Sequence, residues 1–371
     1  MYFSIIPDCT LTTCCFCVHN KNTHAFSIED IIENIEELMK VPIYLVINCD
    51  QTMYPIVKDQ RDKYGLGHLT RYNIVELANL WTYQYEDQVN KNREIYWPSK
   101  DARAGTDSHL ITSNKFDFVL QTIDENPFKT TRFGWIDSFL RKNARKVAEE
   151  YTPNMIPYIL SNITDKFHIQ ILNVNDKKYK EKENKREFYN QYRYVVCGCL
   201  FTCGQDIGKK ILTRAKEIFV ETTIAGYGHS EEMFYLEILD EFYDDIVRSY
   251  GDYGQILNNF ISPTRNFYYI YQLILKRYFQ YGYHKEYYDC AKQIVELVKE
   301  NRVNIAADTF FNILFHFYIV TFYHRNQEAK SIAEYIIALC SENPYYKTEW
   351  MKNPAYYRNQ LQYCVQVPEN L

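Results

Sequence analysis

The sequence predicts two differently built parts: an α/β domain with a mainly parallel sheet flanked by helices over residues 1–262, and an all-helical, repeat-like domain over 263–371. Three observations carry this. Apolar, strand-like runs alternate with amphipathic helical runs from the start of the chain. Ser262-Pro263-Thr264 closes the last alternation. Beyond it only helical periodicity remains, and Tyr283-His284 and Tyr323-His324 head similar segments, YHKEYYDCAKQIVELV and YHRNQEAKSIAEYIIALC, 40 residues apart.

The elements follow in order. TLTTCCFCV (10–18) is rich in β-branched, aromatic and Cys residues and reads as a buried first strand. Ser27 offers a helix cap, and Ile28, Ile31, Ile32, Ile35 and Leu38 share one helical face. IYLVIN is a second buried strand closing on Cys49-Asp50, and a helix from Met53 runs to the Gly65-Leu66-Gly67 break. Residues 106–124 read as a helix that Asn126-Pro127 ends. Thr131 to Ile136 is a strand running into Asp137, Met155 to Ile163 a helix, and Phe167 to Leu172 a strand. The charged stretch 174–191 reads as a solvated loop or surface helix. YRYVVCGCLFTCG reads as a strand pair broken at Gly198 and Gly204. A helix over Asp206 to Thr222, the Gly-flanked turn AGYGHS and the helix of EEMFYLEILDEFY close the domain. Helices near 266–281, 285–300, 305–323 and 327–341 make up the remainder.

Composition excludes whole classes. Hydrophobic residues are 46% and charged residues 24% of the chain, which rules out disordered and fibrous proteins. A formal net charge of −5 removes the global basic field of a nucleic-acid binder. No run reaches the ~20 apolar residues of a membrane span, and the start, MYFSIIPDCTLTTCCFCV, lacks a basic signal-peptide leader. Several of the 11 Cys sit inside apolar runs, and CGCLFTC has no second matched cluster. Reduced, buried thiols of a cytoplasmic protein are the expectation, ahead of a zinc site.

Chemistry narrows to acids. The glycine signatures of P-loops and dinucleotide folds are missing, as are GxSxG and HExxH. Asp50 closes the second strand, Asp137 closes the strand holding Gly134-Trp135-Ile136, and Glu231-Glu232 open a late helix. The carboxyl ends of parallel strands face the ligand crevice, where one carboxylate can hold a divalent cation and another can act as a base. Each has a plain alternative. Asp137 and Ser230 can be helix caps, Asp50 a turn residue, His229 a loop residue, and Arg61 and Lys115 solvated helix residues.

The run NKFDFVLQTIDENPFKTTRFGWIDSFL resembles the segment of the HtrL/YibB-like (WlaTC-type) glycosyltransferases in which NPF-x-T-x-x-F-x-W-x-D leads into the sugar-nucleotide site. TTCCFCV with VPIYLVINCD, CGCLFTCG, and GYGHSEEMFYLEILDEF with YGDYGQILNNF keep that family's order, over roughly residues 10–262. The resemblance implies a GT-A-like fold, a nucleotide-sugar donor (a UDP-sugar), a glycan or protein-linked hydroxyl acceptor, and Mn²⁺ or Mg²⁺. It implies donor contacts from Asp50, Arg61, Lys115, Trp135, Asp137 and Gly198, metal contacts from Asp137 and His229, and catalysis by Glu232 with Glu231. Successive helical residues do not share a face, so one Glu is expected to point away, with Glu232 facing the acceptor. Trp135 stands at the first position of a reduced DxD motif, and Cys197-Gly198-Cys199 has lost a glycine.

The reading is a hexosyltransferase-type glycosyltransferase. Its alternative is a catalytically inactive protein of the same fold that binds without turnover. The helical domain is the expected surface for a protein partner or self-association.

Overall fold

The apolar runs of the first half become strands of one sheet. They are β1 (Cys9–Cys15), β2 (Tyr44–Cys49), β3 (Thr70–Ile74), β4 (Arg132–Ile136), β5 (Phe167–Ile171), β6 (Val196–Gly204) and β7 (Ile246–Tyr250). The computed structural model describes residues 6–18, 28–96, 105–139, 155–227, 230–252, 256–257, 268–324, 327–369 and 371. Two compact units emerge, Met1–Ile261 and Ser262–Leu371.

The strand order is β3-β2-β1-β4-β6-β5-β7. Only β6 runs against its neighbours; the other pairings are parallel, so the sheet is mixed but mainly parallel. From β1 the chain moves outward through β2 and β3, then returns to place β4 on the other side of β1. That reversal makes the β1/β4 boundary a topological switch point, the place where open α/β sheets leave a crevice beyond their carboxyl ends.

Side-chain alternation along β1 assigns the two layers. Thr12 Oγ1 donates to Thr122 Oγ1 of the helix Thr106–Glu125 at 2.9 Å, and the Thr10 and Thr130 hydroxyls meet at 2.7 Å. Leu11 and Cys15 face the other layer, in one core with Ile31, Ile35, Leu38 and Met39 of the helix Ile28–Met39. Asn126 ends the helix Thr106–Glu125 in the left-handed region (φ 39°), and its amide bonds Thr130 in both directions, at 3.0 and 2.9 Å. The Asn-Pro-Phe segment is therefore the turn that launches β4.

Three expectations change. The nine residues of β6 form one strand, in which Gly198 sits at a register shift of the β5 pairing rather than between two strands. β3 and β7, five-residue edge strands of mixed polarity, did not stand out from the sequence pattern. The charged stretch 174–191 is a series of short turns and a helix, Lys185–Tyr189, whose Phe188 and Tyr189 are buried.

Arg61 is carried away from the crevice. The helix Met53–Lys63 starts beside Asp50 at the carboxyl edge of β2 and runs back toward its amino edge. There the fully buried guanidinium donates to the carbonyls of Met39 (3.0 Å), Val41 (2.8 Å) and Ile43 (3.0 Å) and to Thr70 Oγ1 (2.7 Å). Burial lowers its pKa to about 10. It clamps the connection into β2.

The second unit is helical throughout its described residues. Helices Tyr268–Gln280, His284–Lys299, Ala307–Tyr323 and Ala329–Glu342 each pack on the next, followed by Pro344–Met351 and Pro354–Leu361. The two sequence-similar segments touch: His284 and His324 have ring centroids 5.1 Å apart, and Tyr288 and Lys292 both bond Glu328, at 2.6 and 2.8 Å. Among the described residues no helix is long and apolar enough to cross a membrane, and all eleven cysteines are free thiols.

Arg61→Ala leaves three buried carbonyls without their donor, and each unsatisfied group costs about 1–3 kcal/mol. Urea unfolding should show a loss on the order of 3 kcal/mol or more, only part of it recovered by Arg61→Lys, whose single ammonium cannot span all four acceptors.

Candidate functional site

Four elements converge at the carboxyl edge of β4. The helix Thr106–Glu125 supplies Lys115, β4 supplies Trp135 and leads into Asp137, β6 supplies Gly198, and a 3-10 turn, Glu231–Phe234, supplies both glutamates. Lys115 is internal, its side chain 3% exposed. Its Nζ donates to Glu231 Oε1 at 2.7 Å and to the Gly198 carbonyl at 3.1 Å, and lies 3.9 Å from Asp137 Oδ1. Burial alone would depress the ammonium, but Glu231 and Asp137 outweigh it and raise the pKa. Burial alone would raise the Glu231 carboxyl, but the charge and hydrogen bond of Lys115 win and lower it.

Both glutamates reach Gly198 of β6. Ser230 Oγ accepts from the Glu232 N–H at 3.3 Å and donates to Glu231 Oε2 at 3.1 Å. Glu232 Oε1 accepts the Gly198 N–H at 2.8 Å, and Glu232 Oε2 accepts the Tyr192 hydroxyl. Both acids are buried, at 6% and 5%. The expectation that one of the pair points away is thus corrected: both side chains of this 3-10 turn are buried against Gly198 of β6. Gly198 makes the room. A Cβ there would sit 3.1 Å from Glu231 Oε1, 3.1 Å from Glu232 Cγ and 3.2 Å from Lys115 Nζ. This is the close-approach role of a strand glycine.

Asp137 is the acid of the cluster left open, with 32% of its side chain exposed. Its N–H bonds the Cys199 carbonyl at 2.8 Å, and its Oδ1 accepts the Trp135 indole N–H at 2.7 Å. Trp135 is itself buried and stacked on Phe118, with centroids 6.4 Å apart and planes 6° from parallel. The carboxylate is therefore aimed by a locked ring. Burial, then Asp137, push the neighbouring Cys14 thiol up to about 12, so it is a neutral wall at physiological pH.

Asp50 shares the edge but not the cluster. Its carboxylate accepts the N–H of Cys17 at 2.6 Å and of Met53 at 2.8 Å, tying the loop after β1 to the start of the next helix. Because β2 and β4 flank β1 and run parallel to it, Asp50 and Asp137 are separated by two inter-strand steps of about 4.8 Å each. Arg61, at the opposite edge, is not brought to the site, and His229 lies outside the described residues. Tyr192 was missed in the sequence. The alternation in Tyr192-Arg193-Tyr194 just before β6 is the signal that could have drawn attention to it.

Among the described residues no group of three or more His, Cys, Asp or Glu is arranged to hold a metal. Glu231 and Glu232 are engaged with Lys115, Gly198 and Tyr192, which leaves Asp137. One carboxylate fits a cation that arrives on a diphosphate, as Mg²⁺ sites typically use one or two carboxylates plus substrate phosphates. It does not fit a cation caged by protein alone.

Fold and cluster together define a doubly wound α/β protein with an acid–lysine site at the sheet's switch point. No protein-family model and no curated protein matches the chain. Among solved structures it is similar to apo mouse xyloside xylosyltransferase 1, at 9% identity, over 65% of this chain and 84% of that one, with a TM-score of 0.35. A TM-score at that level carries no argument about activity.

Two outcomes test the cluster. The Glu231 carboxyl lies below its ordinary 4.5, so its stabilisation is present above pH 4.5 and lost as pH falls through the folded value. The Lys115 ammonium lies above its ordinary 10.5, so its share is present below pH 10.5 and lost only above it. The stability gap between wild type and Lys115→Met/Glu231→Gln should hence be constant over the neutral range and shift toward the double variant below pH 4.5, read by denaturant unfolding at stepped pH. Gly198→Ala should cost about 1–3 kcal/mol by overpacking, whereas Gly204→Ala, crowded by Asp165 instead, should leave the pH dependence of the Lys115–Glu231 pair intact once folded.

Proposed function

We propose that the α/β unit is a nucleotide-sugar-dependent glycosyltransferase, moving a hexose-type sugar from a UDP-sugar to a hydroxyl on a glycan or protein-linked acceptor. One observation carries the reading: a part-exposed carboxylate, Asp137, locked by Trp135 at the carboxyl edge of a switch-point strand. Donor diphosphate meets the edge at Asp137, with the loop tied by Asp50 on the nucleoside side. Asp137 would hold the Mn²⁺ or Mg²⁺ that accompanies the diphosphate, which when bound neutralises charge on the leaving group. Glu232 serves the acceptor side. Its carboxylate is fixed by the Gly198 N–H and faces Tyr192, a placement suited to taking a proton from an attacking hydroxyl. Glu231 holds Lys115 in place rather than touching substrate.

The burial of both glutamates favours a second reading, a protein that binds the donor without turning it over. A thermal-shift screen of UDP-sugars with and without Mn²⁺, followed by UDP-release assays, separates the two. A donor that binds only the folded state raises the midpoint by mass action. Asp137→Asn should abolish that shift. Glu232→Gln should keep it and lower UDP release by on the order of 10²-fold. A shift without UDP release from wild type selects the binding protein, and no shift with any UDP-sugar sinks both readings.

A further inference from the structure

Glu232 poses a problem that the structure also answers. A general base has to lie within hydrogen-bond reach of the proton it removes, yet Glu232 is 5% exposed. One oxygen faces the Gly198 N–H inside β6 and the other accepts the Tyr192 hydroxyl. Tyr192 itself is 37% exposed, and Tyr194 beside it is 52% exposed. Their rings pack edge to face, with centroids 4.8 Å apart and planes at 83°.

This aromatic pair stands on fixed backbone. The Tyr194 carbonyl accepts the Asn175 side-chain amide at 3.0 Å, and the Val195 carbonyl accepts the Leu172 N–H at 3.0 Å, which anchors the segment to the end of β5. Two large aromatic rings exposed side by side on rigid chain, one of them bonded to a buried acid, are a binding feature rather than scattered surface residues. A tyrosine offers an apolar face and a polar hydroxyl together, and the ligand that matches both is a pyranose ring, with a C–H face to stack and hydroxyls at its rim.

We propose that Tyr192 and Tyr194 form the acceptor subsite, with Tyr194 as the stacking platform for a saccharide and Tyr192 as a proton relay between the acceptor hydroxyl and Glu232. The inference rests on the glycosyltransferase reading and names its acceptor class and a further catalytic residue. The step balances. The acceptor oxygen bonds the anomeric carbon as the bond from that carbon to the diphosphate oxygen breaks, and its electron pair leaves with UDP. The acceptor proton passes to the Tyr192 oxygen while the Tyr192 proton passes to Glu232 Oε2.

The test uses the full chain, UDP-sugars that shift its thermal midpoint, and methyl hexopyranosides as acceptor probes. Saturation-transfer NMR of the methyl glycosides on the UDP-loaded protein reads the platform, and UDP release reads the relay. Wild type should give saturation transfer to the ring C–H protons, lost in Tyr194→Ala, with the acceptor KM rising about 10-fold and kcat little changed. Tyr192→Phe keeps the ring and removes the relay, so kcat should fall on the order of 10²-fold with acceptor KM and donor shift unchanged. Far-ultraviolet circular dichroism and the donor shift confirm that both variants fold. Saturation transfer missing from wild type that still shows its donor shift overturns the platform, and wild-type kcat in Tyr192→Phe overturns the relay. A wild type with no donor shift fails the underlying reading instead.

Discussion

The ion pair between Lys115 and Glu231 is the constraint on which the rest of the candidate site depends. An ammonium that is 3% exposed is tolerable only if its charge is matched and its donors are used. The partners it finds lie on different elements: Glu231 on the 3-10 turn, the Gly198 carbonyl on β6 and, farther off, Asp137 after β4. Matching one charge thus fixes the mutual positions of a helix, two strands and a turn. Such a pair is weak evidence for stability in itself, because desolvation offsets much of its attraction. What it does here is bring these elements to one point, where the ammonium is satisfied.

The parts legible in the sequence are those whose burial is one-sided or total. β1, β2 and β4 are apolar runs because both faces of a central strand are covered, and the helix Thr106–Glu125 ends where Asn-Pro requires. The edge strands escaped for the converse reason. TRYNI and IVRSY are mostly half-buried and carry too few apolar positions to rise above a loop. Gly198 was misread because a strand glycine and a turn glycine look alike in one dimension. What distinguishes it is that two glutamates and a lysine crowd the space where its side chain would be, and those residues lie 33 or more positions away.

Direction of travel explains the fate of the basic candidates. Arg61 follows Asp50 by only eleven residues, so in sequence it looks near it. A helix of that length spans about 16 Å, and this one runs back along the sheet to the amino edge, where three carbonyls take the guanidinium. Lys115, expected at the donor, is buried and engaged by Glu231 and the Gly198 carbonyl. The Tyr192 hydroxyl could not be anticipated, because its partner Glu232 is 40 residues farther along.

Charge and exposure together decide which acid can serve a ligand. Lys115 is one ammonium set between two described acids, paired with Glu231 at 2.7 Å and lying 3.9 Å from Asp137. Glu231 uses Lys115 as its counter-ion, and Glu232 accepts from the Gly198 N–H and the Tyr192 hydroxyl. Asp137 is left as the acid of the cluster open to solvent, at 32% exposure, with the Trp135 indole fixing the direction of its carboxylate. If the proposed function holds, a bare diphosphate would meet repulsion there, and one carrying its own divalent cation would meet attraction. Under the proposed function, the same asymmetry would favour, among anionic ligands, the cation-loaded form.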